Sequence, residues 1–164
     1  MSTRRALVLA GAAGALAGCG FELQRPPQLH FKTIQLTGFP HRSPLAAELK
    51  RNIDTSTTTK VVEALKDAEV VLQALADERE KSIVVTTAAD QVRQYELRSR
   101  FRFQLRTQSG KELLPASEIL LKRELTYTES AALAKEQEEA FLYRSMQSDL
   151  VSQVLRRLSS VQLL

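Results

Sequence analysis

The clearest pattern in the chain lies at residues 94–106, "QYELRSRFRFQLR", where polar and apolar side chains alternate position by position. Tyr95, Leu97, Ser99, Phe101, Phe103 and Leu105 fall on one set of positions; Gln94, Glu96, Arg98, Arg100, Arg102, Gln104 and Arg106 fall on the other. Such a period of two predicts a long strand with one face buried and the other in water. It also places Arg98, Arg100 and Arg102 in a row on the wet face, about 6.6–7 Å apart per step. Before this strand, "LHFKTIQLT" at 29–37 reads as a first strand and "GFPHRSP" as a turn. Ser43 is a natural N-cap with Pro44 at the first helical position. Leu45, Leu49 and Ile53 then recur at four-residue spacing, one narrow apolar stripe on a helix.

"DTSTTTK" after that helix reads as a loop. "AEVVLQAL" and "KSIVVTT", on either side of the charged "ADEREK", form either one long strand or two short ones. "TQSGKE", centred on Ser109-Gly110, predicts a hairpin turn, and "EILLKRELTY" follows with Ile119, Leu121, Leu125 and Tyr127 on one face, interrupted by Arg123. From Ala131 to Val161 the period changes and no Gly or Pro occurs. Leu133, Ala140, Tyr143, Met146, Leu150, Val154, Leu158 and Val161 share a helical face that Val151 and Leu155 widen, predicting an amphipathic helix of about eight turns. The order β-α-β-β-β-α predicts an α/β (α+β) sandwich: a four-stranded mixed sheet with two helices on one face. The crossover makes the first pair of strands parallel and the meander antiparallel.

The first residues belong to a different class. Arg4 and Arg5 precede "ALVLAGAAGALA", an uncharged apolar run with the layout of an export signal. The run is shorter than the roughly 20 residues a membrane span needs, and Gly11, Gly14 and Gly18 argue against a buried core helix. Its end, "LAGC", resembles the bacterial lipobox. That resemblance implies removal of residues 1–18 and acylation of Cys19, palmitate among its chains, as the new N-terminus. Gly20 after it implies sorting to the outer membrane. Two or more acyl chains anchor a protein stably. "TRRALVL" also has a faint twin-arginine character, and the ordinary secretory route is favoured. "GFELQRPPQ" then makes residues 19–28 a proline-stiffened tether, 29–161 a single domain, and 162–164 the C-terminal end.

Without residues 1–18 the 164-residue chain retains 146 residues, and its formal charge falls from +4 to +2. That is no footprint for nucleic acid. Cys19 is the sole cysteine, so once acylated it leaves no disulfide or cysteine metal site. His30 and His41 have no ligand-type neighbours in sequence and read as surface residues. There is no phosphate loop and no nucleophile elbow. Glu136, Glu138 and Glu139 suit the dipole at the start of a long helix. The expectation is a non-enzymatic protein with no cofactor beyond the lipid on Cys19. The arginine row is open to two readings: a surface that grips phosphates or a partner's acids, or a solvated strand face with acidic cross-strand neighbours.

Several stretches together resemble the LptE family of lipopolysaccharide-assembly lipoproteins from Gram-negative bacteria. They are "CGFEL", "SPLAAEL", "YEL" at 95–97, "SGKEL", "RELTY" at 123–127, "ALAKEQEEAFLYRSMQSDL" at 132–150 and "QVLRRL" at 153–158. The resemblance implies an outer-membrane lipoprotein that plugs a β-barrel translocon, LptD, as a 1:1 heterodimer. It further implies help in that barrel's assembly, binding of lipopolysaccharide, and delivery of lipopolysaccharide to the outer leaflet. Lys135 stands where the family has a basic residue implicated in lipid binding, and Arg93 approximates a second. A lipid-anchored, periplasm-facing adaptor of another envelope machine is the alternative.

Overall fold

The computed structural model describes residues 27–55, 58–89 and 91–162. The export segment, Cys19, Gly20, most of the tether, Leu163 and Leu164 lie outside the described residues. The chain runs β1 (Thr33–Thr37), α1 (Pro44–Asp54), β2 (Lys60–Val62), β3 (Val70–Thr86), β4 (Val92–Thr107), β5 (Glu112–Thr126) and α2 (Ala132–Ser159), with 3-10 turns at Leu65–Asp67 and Glu129–Ala131.

The fold is α+β, with a mixed sheet and two helices, but the sheet has five strands instead of the expected four, in the order β2-β1-β3-β4-β5. The extra strand is β2, whose three residues overlap the expected loop at Lys60. A segment so short shows no period, so nothing in the pattern announces it. β1 is parallel to both β2 and β3, whereas β3, β4 and β5 form an antiparallel meander. The first strand is also shorter than its expected 29–37. Leu29 and Phe31 are buried without ladder pairing, and their carbonyls accept from the hydroxyls of Thr58 (3.4 Å) and Thr59 (2.6 Å).

β4 follows its alternation. Leu97, Phe101, Phe103 and Leu105 are fully buried beneath the helices, and the arginines point away. The two segments left open on either side of "ADEREK" are one strand of 17 residues, β3, with irregularities at Ala74/Ala76 and Ile83/Val85. α1 starts where its cap signal says: Ser43 Oγ accepts from the Ala46 N–H at 3.1 Å and donates to Asp77 Oδ2 at 2.6 Å. β1 ends at Gly38, whose φ of +78° suits glycine, and where a Cβ would lie 2.3 Å from the Ala74 carbonyl oxygen.

The sheet and α2 are both longer than the layer that covers them. β1 pairs with β3 only from Val70 to Gln73, so β1, β2 and α1 cover a near end. Beyond it, β3–β5 continue as three strands under the first half of α2 alone. Two apolar clusters result. The larger holds Ile34, Leu49, Leu72, Phe101, Phe103 and Val154; the smaller, towards the far end, holds Leu97, Leu125 and Met146. Ser99 lies between them, buried, its hydroxyl without a hydrogen-bond partner. The missing cover also corrects the expected apolar face of the long helix. Leu133 is 72% exposed and Ala140 is exposed as well, because neither β1 nor α1 reaches that far.

Candidate functional site

The arginine row and the two basic residues Arg93 and Lys135 occupy different places. Arg98, Arg100 and Arg102 project from the sheet face opposite the helices. Strand register sets Glu80 and Lys122 beside Arg98, Glu78 and Leu120 beside Arg100, and Ala76 and Glu118 beside Arg102. Arg100 donates to Glu78 Oε2 from Nε (3.1 Å) and Nη2 (2.6 Å), and its other Nη lies 3.8 Å from Glu118. Arg98 donates from Nε to Glu96 Oε1 at 2.5 Å and lies 3.6 Å from Glu80. Lys122 adds a further contact to Glu96 at 3.6 Å.

These contacts reinforce the charges on both sides. The hydrogen bond from Arg98 is the main cause holding the Glu96 carboxyl below its usual range. Glu96 and Glu78 likewise hold Arg98 and Arg100 above the ordinary arginine value. A shallow cavity of 290 Å³ opens here, and three of its lining residues, Glu78, Glu80 and Glu118, are acidic. An approaching phosphate would meet those carboxylates before it met a free guanidinium. Arg102 alone of the row has no ion pair among the described residues. Each arginine of the row thus has an acidic cross-strand neighbour, Glu80 for Arg98, Glu78 for Arg100 and Glu118 for Arg102.

The far end differs. Lys135, in the first turn of α2, donates from Nζ to Glu138 at 2.8 Å and to Thr126 Oγ1 at 3.5 Å, which pins the start of the helix to the end of β5. Thr126 pairs with Gln94 on β4, and the Tyr127 N–H donates to the Arg93 carbonyl at 2.8 Å. Arg93 and Lys135, separated by 42 positions in the chain, therefore meet at one end of the molecule. The Arg93 side chain is exposed and makes no ion pair among the described residues.

Lys81, Tyr95, Tyr127 and Tyr143, none of them singled out as a site residue in the sequence, join them. The Lys81 ammonium lies 4.2 Å from the Tyr95 ring centroid and 2.6 Å from Glu139. The hydrogen bond to Glu139 raises the Lys81 pKa against the opposing effect of its partial burial. Tyr95 meets Tyr127 edge-on at 5.5 Å. Tyr143 lines a neighbouring cavity with Arg79 and Glu139; its hydroxyl donates to the Glu80 carbonyl at 2.8 Å, and burial raises its pKa. This end combines cations, aromatic faces and exposed apolar side chains. Such a surface suits an anionic amphiphile, with charge-assisted hydrogen bonds to the anion and hydrophobic contact to the rest. His30 and His41 are exposed, and no three metal-type ligands cluster among the described residues. No helix among the described residues is long and apolar enough to cross a membrane.

Comparison with known proteins gives a consistent picture. The family described as "LptE: Lipopolysaccharide-assembly" matches residues 31–158. The solution structure of the uncharacterized lipoprotein B from Nitrosomonas europaea is 34% identical, covering 86% of this chain and 91% of its own, with a TM-score of 0.74. Rare lipoprotein B from Shewanella oneidensis is 25% identical over 79% of this chain and 95% of its own, with a TM-score of 0.64. A minor lipoprotein from Acinetobacter baumannii, 19% identical over 82% and 97%, has a TM-score of 0.64 and shares the fold. No curated protein matches the sequence.

Proposed function

The chain belongs to the LptE lipopolysaccharide-assembly family, whose role is assembly and not catalysis, and from that premise we propose that it is a lipid-anchored subunit of the outer-membrane lipopolysaccharide translocon. In this reading Cys19 carries the anchor, a β-barrel of the LptD kind surrounds the domain, and the domain plugs the barrel and supports its assembly. The far end, with Arg93 and Lys135, meets the phosphates of lipopolysaccharide. The observation that carries the lipid contact is the convergence of Arg93 and Lys135 through the β4–β5 register. Arg98 and Arg100, engaged by carboxylates, are assigned to holding the sheet face.

The point at which the described chain enters the domain supports the same reading. Leu29 and Phe31 are held at Thr58 and Thr59, and the Lys32 N–H donates to Glu69 at 2.7 Å, just before β3 begins. The described chain thus enters the domain at the near end, and the β4 backbone from Thr107 to Arg93 spans roughly 45 Å to the far end. In this reading the lipid on Cys19 lies in the inner leaflet, and the basic end lies at the end of the domain opposite the entry of the chain. Depleting the protein in cells tests this function. Lipopolysaccharide is expected to accumulate short of the surface while the barrel partner matures poorly. Normal surface lipopolysaccharide after complete depletion would contradict the reading.

A further inference from the structure

The far end also carries a side that the ion pairs and rings do not explain. The end of β3 and the residue after it read "SIVVTT", residues 82–87, five consecutive β-branched residues after a serine and no charge. Ile83, Val84 and Val85 are 54%, 49% and 43% exposed. They lie on an open edge, because β1 leaves β3 after Gln73 and β4 takes the other side. The opposite edge of the sheet is guarded. β5 carries Pro115 and the run Lys122-Arg123-Glu124, the residue types that keep an edge strand from pairing with strangers. An apolar stretch left unguarded on one edge of a sheet whose other edge is protected calls for something to cover it.

We propose that Ile83, Val84 and Val85 form an acyl-chain contact for the same phosphorylated glycolipid whose headgroup meets Arg93 and Lys135, an inference that rests on the lipid contact proposed above. Register supplies the geometry. Val85 pairs with Gln94, Gln94 pairs with Thr126, and Thr126 Oγ1 lies 3.5 Å from the Lys135 ammonium. With strands about 4.8 Å apart, the apolar edge and the cation stand two strand spacings, or about 10 Å, from one another. Arg93 is next to Gln94, between them in register. Polarity therefore changes across the end from apolar on β3 to basic on β4 and α2, matching a molecule with phosphates on one side and chains on the other. Lys81 and Lys135 each have one carboxylate partner, Glu139 and Glu138, whereas Arg93 has none among the described residues and brings uncompensated positive charge. A second copy pairing strand to strand fits less well. Register shifts at Ile83/Val85 and Val85/Thr86 break the regular backbone row that a new strand would need.

The test compares binding of the full mature chain to lipid A and to its completely deacylated, still phosphorylated disaccharide, with sedimentation to record the oligomeric state. Replacing Ile83, Val84 and Val85 together by Thr keeps strand preference and removes apolar contact. Affinity for lipid A is expected to fall about tenfold or more, and affinity for the deacylated disaccharide to stay unchanged. Arg93→Gln with Lys135→Gln is expected to weaken both. Unchanged lipid A affinity in the triple Thr variant overturns the acyl contact and leaves the headgroup reading standing. The same conclusion follows if the wild type dimerises, the triple variant is monomeric, and both bind lipid A equally. A wild type that binds neither probe overturns the headgroup reading and the acyl contact with it.

Discussion

Ser43 closes two hydrogen bonds with one hydroxyl, and their loss can be estimated separately. In Ser43→Ala the Ala46 N–H loses its cap acceptor, which costs about 1 kcal/mol. Asp77 loses a charge-assisted donor at 2.6 Å; bonds to charged groups contribute about 1.5–3 kcal/mol, and a half-buried carboxylate that water can reach belongs at the lower end. The expected loss is about 2.5 kcal/mol, or about 10 °C in Tm for a domain of this size. Equilibrium urea unfolding followed by circular dichroism reads this directly, with an unchanged m-value showing that only stability moved. Asp77→Asn retains an acceptor and is expected to lose about half as much. A double-mutant cycle over the two residues isolates a coupling of about 1–2 kcal/mol. If Ser43→Ala lies within about 0.5 kcal/mol of the wild type, the tie from the start of α1 to β3 does not support the fold as argued.

Two further outcomes follow from the sheet. Ser99→Ala removes a buried hydroxyl with no partner from between the two apolar clusters and is expected to stabilise the protein by about 1 kcal/mol in the same urea experiment; a loss of that size would show the hydroxyl is satisfied in solution. The Glu96 carboxyl titrates below its usual value because of Arg98 and, secondarily, Lys122, so its contribution to stability is present above about pH 4.5 and fades as pH falls through the lowered folded value. Glu96→Gln should therefore flatten that part of the acid limb, and an unaltered limb would rule the linkage out.

How much of this was legible depends on what sets each feature. β4 is legible because one face is buried and the other wet, so burial writes a period of two into the sequence. α1 is legible from Ser43-Pro44 and a stripe whose three members are all buried. β2 writes no pattern in three residues, and the fifth strand goes unseen with it. Leu133 and Ala140 carry the helical period yet stay exposed, since periodicity records which side a residue faces and not whether anything covers that side. The arginine row was visible, and its acidic partners were too, in "ADEREK"; what the sequence withholds is the register that puts Glu78 against Arg100 and Glu80 by Arg98. The far-end site is hidden for the same reason. Lys81 and Ile83 come from β3, Arg93 and Tyr95 from β4, Tyr127 from just after β5 and Lys135 from α2, and only pairing brings them together.

The central claim is that the far end, and not the arginine row, contacts lipopolysaccharide. Its most direct test measures lipopolysaccharide affinity at low and high salt for Arg93→Gln with Lys135→Gln, beside Arg98→Gln with Arg100→Gln. The far-end pair is predicted to lose about tenfold or more at low salt and less at high salt, where exposed charges are screened. The row pair, already neutralised by Glu78, Glu80 and Glu96, is predicted to change little. Loss confined to the row pair, with the far-end pair binding as the wild type does, would contradict the account.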